Sequence, residues 1–303
     1  MKIARYLSAA GPRLALVEGS QLVDLVDAAH ERGQSWLAPL FADVRLFFAA
    51  GVAGRSQIAE LLRHSRRPRQ ELATAHLLAP FEAGGKILAH VVNYYGHDKE
   101  AGVKVPAKPF FFQKPGSCVA NPNDPIITHR HSTKLDHEVE LGVIIGTAGR
   151  NISREAAYEH VAGYTIVNDV SYRDLQMNEG YDDLNKSYGK NWTQAKGMDF
   201  ACPIGPLVVL RDEMPHPYPL AMSCKVNGQV RQKANTEEMI YKIPELIAEI
   251  SKGMTLHPGD VIATGTCAGG GLADGKFLAP GDVVECEIDG IGVLRNFVVA
   301  DHP

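Results

Sequence analysis

The sequence predicts an α+β protein: a small N-terminal α+β unit precedes a larger domain built on a mainly antiparallel or mixed β-sheet able to curl on itself. Three observations carry that prediction. Strand-like runs bounded by Gly and Pro dominate the chain from Lys86 onward. Only two segments in that part show a helical period of apolar residues. The texture changes at APFEAGG, from Ala79-Pro80 to Gly84-Gly85, a linker-like stretch that separates residues 1–80 from residues 86–303.

In the first unit, KIARYLS, RLALVEG and QLVDLVD read as strands divided by the turn residues Gly11-Pro12 and Gly19-Ser20. The apolar spacing of QIAELLRHSRR around Leu61 and Leu62 predicts a helix after them. No titratable cluster there suggests chemistry, so the unit reads as structural or dimer-supporting. Beyond the linker, KILAHVVNY, KPFFFQK, PIITH, EVELGVIIG, GYTIVNDVS, GPLVVL, MSCKVNG, GDVIATGT and GDVVECEIDGIGVLRNFVV predict strands. SREAAYEHVAG predicts a helix with Ser153 as N-cap and Gly163 just past its end. TEEMIYKIPELIAEISKG predicts a second, kinked or interrupted at Pro244.

A composition of 45% hydrophobic and 22% charged residues is that of a globular protein, and 303 residues leave room for one large domain or two ordinary ones. A formal charge of −4 argues against a nucleic-acid partner. The one dense basic run, HSRRPR at 64–69, reads as a solvated helix end or loop. No stretch approaches the apolar length of a membrane span, and Gly, Pro and Arg interrupt MKIARYLSAAGPRLALVEG, so neither a membrane anchor nor a signal peptide is expected. Cys118, Cys202, Cys224, Cys267 and Cys286 are widely spaced and form no CxxC, which fits reduced, buried thiols in a cytoplasmic protein.

The chemistry concentrates around LDHEVELGVIIG. Glu138 and Glu140 stand two apart, so on a strand they share a face, roughly 7 Å apart along it. An arbitrary E-x-E belongs to a solvated edge strand, but the apolar continuation LGVIIG reads as buried, where two carboxylates need a cation. Asp169 closes the apolar run of TIVND at a strand end. Glu138, Glu140 and Asp169 together form an all-oxygen ligand set suited to Mg²⁺, Mn²⁺ or Ca²⁺ and unsuited to zinc.

In NYYGHDKE, His97 and Glu100 lie three apart, facing the same way on a helical turn. There Glu100 would orient His97 as a general base; a surface ion pair is the plainer reading of that tetrapeptide alone. Arg173 and Gln176 share a first helical turn after Asp169, suited to clamping a carboxylate and donating to an oxyanion, or equally to facing solvent. Lys196 sits beside Gly197, which permits close approach to a ligand, and Lys114 is a weaker candidate for an acidic substrate. Thr264 and Thr266 alternate along GDVIATGT, which can place one hydroxyl in the site. GDVIATGTCAGGG lacks GxxxxGK[ST] and GxGxxG, so nucleotide binding is not expected.

Taken together, NYYGHDKE (93–100), FFFQKPGS (110–117), LDHEVELGVIIG (135–146), GYTIVNDVSYRDLQ (163–176), WTQAKGMDFACPIGP (192–206), VNGQVRQ (226–232), LHPGDVIATGT (256–266) and GIGVLRN (290–296) resemble the fumarylacetoacetate hydrolase family. The resemblance implies a mixed-β roll or sandwich, a homodimer, and Mg²⁺ or Mn²⁺ at Glu138, Glu140 and Asp169. It also implies a water-activating His97–Glu100 pair, substrate contacts at Arg173, Gln176 and Lys196, and a threonine near the pocket at Thr266. Three departures touch the pocket's surroundings: His137 where Tyr is usual, Cys267 where Pro follows TGT, and the long polar MNEGYDDLNKSYGKN at 177–191.

The expected substrate is a small 2-oxo acid, and the expected reaction is hydrolysis of a carbon–carbon bond in an acylpyruvate-type β-diketo acid. Decarboxylation, isomerisation or dehydration of a 2-oxo acid uses the same enolate chemistry without an activated water. A binding protein that kept the fold and lost its activity is the remaining alternative; it predicts a missing ligand or base, and none is missing.

Overall fold

The structure is a computed structural model and describes residues 1–62 and 70–301. The basic run at 64–69 lies outside the described residues. In the N-terminal unit, β1 (Lys2–Ser8), β2 (Gly11–Glu18) and β3 (Gln21–Asp24) form an antiparallel meander, followed by α1 (Leu25–Glu31) and α2 (Val44–Leu62). The third predicted strand ends early because the Asp24 side chain accepts from the Asp27 N–H and caps α1.

Past the linker come β4 (Ile87–His90), α3 (His97–Glu100), β5 (Phe111–Lys114), β6 (Pro125–Thr128), β7 (Val139–Ile145) and β8 (Val161–Asn168). They are followed by α4 (Arg173–Gln176), α5 (Asp182–Tyr188), α6 (Trp192–Gly197), β9 (Cys202–Leu210), β10 (Ala221–Val226), β11 (Gln229–Asn235), α7 (Ile243–Ile250), β12 (Val261–Ala263), β13 (Val283–Ile288) and β14 (Gly292–Ala300).

Among the described residues these strands make two main sheets. The larger runs β3-β2-β1-β9-β8-β7-β12-β4-β5, antiparallel except where β12 pairs with β4. The smaller runs β11-β10-β13-β14-β6, with only β14 and β6 parallel. Strands β9 and β14 pack across the gap between the sheets, and one apolar core runs through both. The result is mixed α+β, with no closed barrel. The N-terminal strands do not make a sheet of their own: Lys2 and Ile3 of β1 pair with Val209 and Val208 of β9.

Two expectations change. SREAAYEHVAG is not an α-helix. Only a 3₁₀ turn at Ala157–His160 forms before β8 begins. Gly163 is therefore inside a strand, where an added Cβ would stand 2.4 Å from the Val209 carbonyl oxygen. Pro244 does not interrupt a helix either; it occupies the first turn of α7, where its missing N–H costs no bond.

Candidate active site

The buried strands β7 and β8 pair Val139 with Asn168, which brings the ends carrying Glu138 and Asp169 side by side. The Asp169 N–H donates to the Glu138 carbonyl oxygen, and the Asn168 side chain accepts from the Glu138 N–H, so the backbones are locked where the carboxylates begin. Glu138, Glu140 and Asp169 are all buried, and each offers an oxygen within 4.8 Å of the other two.

The surrounding cations explain how such a cluster folds. Lys196 donates to Glu138 Oε2 and Asp169 Oδ2, both at 2.7 Å. Arg173 reaches Glu138 Oε1 at 2.5 Å and Asp136 Oδ2 at 2.8 Å, while its remaining nitrogen donates to Gln176 Oε1. Lys114 holds Asp169 Oδ1 at 2.5 Å and the Ala201 carbonyl at 3.0 Å. Burial alone would raise the Glu138 carboxyl, but Lys196 and Arg173 beside it hold it well below the usual range. Glu140 is the contrary case: burial, then the neighbouring Asp169 and Glu138, push it well above.

Counting charge makes the point sharper. Four buried carboxylates (Asp136, Glu138, Glu140, Asp169) face three buried cations (Lys114, Arg173, Lys196). Glu140 carries the excess: its Oε2 accepts from the Gly265 N–H at 2.7 Å, and its Oε1 has no partner. A buried orphan oxygen in an all-carboxylate set fits a hard divalent cation. A dication would leave the cage one charge positive, a charge that an anionic substrate neutralises.

The cage opens on a cavity of about 780 Å³, mouth included, lined by all three carboxylates. His97, Glu100, Arg173, Gln176, Lys196 and Thr266 line it too, so nearly every residue singled out in the sequence meets there. His97 Nδ1 lies 3.5 Å from Glu100 Oε2, and its Nε2 lies 4.0 Å from Glu138 Oε1. Glu100 is itself anchored by the Gly269 N–H. The Thr266 hydroxyl donates to the Val139 carbonyl and accepts from Gln232, whereas Thr264 donates to Leu141.

Lys114 is placed differently from the expectation. It does not line the cavity; its fully buried ammonium positions Asp169 from behind. Gly197 also serves packing, since a Cβ there would meet the Pro115 ring at 2.7 Å. Three polar residues escaped the sequence reading. Asp136 orients Arg173 and accepts from the His137 and Gly271 N–H groups. His90 is buried in the cavity wall with neither ring nitrogen partnered, and Lys190 reaches the cavity from the long polar stretch. No helix among the described residues is long and apolar enough to cross a membrane.

A two-sheet α+β fold with a buried acidic cage opening on a deep cavity is the architecture of a small-molecule enzyme. The family model "Fumarylacetoacetate (FAA) hydrolase C-terminal" matches residues 86–299, and the chain belongs to that family. It is 37% identical to the mitochondrial oxaloacetate tautomerase of Xenopus laevis over 305 residues, covering 99% of this chain and 90% of the relative. Among solved structures it resembles maleylpyruvate hydrolase from Sphingobium sp. SYK-6, in complex with manganese(II) and pyruvate (TM-score 0.78, 31% identity, both chains covered completely). It also resembles 2-hydroxyhepta-2,4-diene-1,7-dioate isomerase from Mycobacterium marinum (TM-score 0.74, 31% identity, both chains covered completely).

Proposed function

We propose that this chain interconverts the keto and enol forms of a small 2-oxo acid of the oxaloacetate type at a divalent metal, Mg²⁺ or Mn²⁺. The observation that carries the reading is the His97–Glu100 pair at the rim of the carboxylate cage, with His97 Nε2 facing Glu138 and Nδ1 facing Glu100. The near-full-length similarity to an oxaloacetate tautomerase puts tautomerisation ahead of the hydrolysis expected from the sequence.

Glu138, Glu140 and Asp169 would hold the metal. When bound, the metal supplies positive charge to the 2-oxo acid's oxygens as a Lewis acid, so the proton on the neighbouring carbon becomes removable. Arg173 and Gln176 offer donors to the substrate carboxylate. The Lys196 ammonium, held by Glu138 and Asp169, adds positive charge to the cavity wall that favours a developing oxyanion. His97 takes the carbon-bound proton at Nε2 and returns one to the oxygen, while Glu100 holds the ring and stabilises its protonated form.

Hydrolytic cleavage of an acylpyruvate is the second reading, favoured by the same pair, which in that case activates a water, and by the likeness to a maleylpyruvate hydrolase. The experiment follows enol absorbance of oxaloacetate and of acylpyruvates with Mg²⁺ or Mn²⁺, for wild type, Glu138→Ala and His97→Asn. Tautomerisation without pyruvate release supports the first reading; acylpyruvate loss with stoichiometric pyruvate supports the second. Full activity in EDTA-treated protein rules out both. The reading takes residues 86–303 as the catalytic domain, residues 1–80 as a supporting unit and a homodimer as the working form, which sedimentation tests.

A further inference from the structure

The charged groups of the cavity wall fall into two sets. Arg173 and Lys196 are bound to the carboxylate cage, and His97 is held beside Glu100. Lys190 belongs to neither. It is half-buried and lines the same cavity, yet no carboxylate oxygen among the described residues lies within 4.0 Å of its ammonium.

Its position is built. Trp192 stacks on Phe112 with ring centroids 4.8 Å apart, and the Lys190 ammonium sits over the Trp192 ring at 5.7 Å. Such a contact holds a cation in place without neutralising it. The backbone is fixed at the next residue, because the Asn191 N–H donates to the Gln176 carbonyl and the Asn191 side chain caps α6. Burial, and then the cations Arg173 and Lys196, hold the Lys190 ammonium below its ordinary value. A partly desolvated cation, with Arg173 and Lys196 outweighing Glu138 in its surroundings and the aromatic wall of Phe112 and Trp192 beside it, lacks one thing: a counter-ion of its own.

We propose that Lys190 binds the distal carboxylate of the substrate and so selects 2-oxo dicarboxylates over 2-oxo acids with a neutral tail. This rests on the proposed function in one respect, that the 2-oxo acid end is held at Glu138, Glu140 and Asp169. The tail then runs along the aromatic wall to Lys190. The residue acts on substrate choice and takes no proton.

The test compares oxaloacetate with its 4-methyl ester, which has a similar shape but no distal charge, for wild type, Lys190→Met and Lys190→Arg. Wild type is expected to favour oxaloacetate by about tenfold or more in kcat/KM, the usual scale for a charged hydrogen bond in a site of this burial. Lys190→Met should erase most of that preference through KM, with kcat on oxaloacetate little changed, and Lys190→Arg should keep it. A preference untouched in Lys190→Met overturns the inference and leaves the proposed function standing. If wild type turns over neither compound, the proposed function falls. In that event calorimetric binding of the same two compounds to the Mn²⁺-loaded protein still decides on Lys190, by whether the methionine variant loses the discrimination.

Discussion

Glu140 is the residue on which the cage turns. It is buried, it has one oxygen without a partner, and two other carboxylates crowd it. Glu140→Gln should stabilise the metal-free protein by on the order of 1–3 kcal/mol, the cost of an unsatisfied buried group. The same change should abolish the stabilisation by Mn²⁺ expected of wild type, about 2.7 kcal/mol when Mn²⁺ is at a hundred times its Kd. Thermal melts with Mn²⁺ and with EDTA check both; a variant that responds to Mn²⁺ as wild type does would remove Glu140 from the ligand set. His90 makes a different prediction. Burial pushes its imidazole from the ordinary 6.5 down to about 4. Below the unfolded value the unfolded chain binds a proton that the native chain refuses, so native stability falls as pH drops from 6.5 to 4 and is unaffected above that window. The loss at the bottom of the window is about 3 kcal/mol, and His90→Leu should flatten it in urea melts run from pH 7 to pH 4; parallel curves for the two proteins would count against it.

At this scale the site was largely legible. The carboxylate set, the His97–Glu100 pair, Arg173, Gln176, Lys196 and Thr266, which meet at one cavity, announced themselves as charged or polar groups beside buried-looking runs, in blocks shared with a family. His90 did not, because one histidine in an apolar strand looks like any core histidine until both its nitrogens are found idle. Lys190 lies in a stretch whose polarity resembles solvent-facing loop, and its place over Trp192, which stacks on Phe112, has no local signal. Lys114 misled in the opposite sense, since a lysine after a hydrophobic run does not show from which side of the carboxylates it approaches.

Among the elements, β8 bears most of the responsibility for the site, because its last residues deliver Asn168 and Asp169. Its register against β9 depends on Gly163, whose missing Cβ lets the Val209 backbone come close. Gly163→Ala should force the two strands apart and destabilise the fold by about 1–3 kcal/mol or more, the range of overpacked core sites. Chemical denaturation measures it; a change under 0.5 kcal/mol would show that the sheet relaxes freely, as only surface positions usually do. The periodicity of SREAAYEHVAG pointed to a helix because local pattern cannot register a neighbouring strand. In β8, full burial on both faces and pairing on both edges outweighed that preference. Pro244 shows the same limit: a proline inside an apparently continuous period marks a start as readily as a break.

For the molecule as a whole, mixed α+β character could be read from the alternation of short strands and turns, whereas the division into two main sheets was implied only by the family resemblance. The pairing between distant segments could not, since no local signal says that the second residue of the chain lies against residue 209. That pairing gives the protein its continuity. It places β1 along β9, with β8 and its carboxylate next in line.

A protein trimmed to begin at residue 86, where the family match starts, would keep every residue proposed here for catalysis. It would also leave the outer margin of β9 with open backbone donors and acceptors along Val208 and Val209, beside an uncovered Leu207. Exposed margins of that kind recruit further strands, in this case from other copies. The shortened enzyme should elute from gel filtration as large assemblies that grow with concentration, and a clean, low-order species would show that something else can shield β9. On that expectation the first eighty residues would serve as a chaperone written into the chain, keeping the larger sheet from finding its own kind.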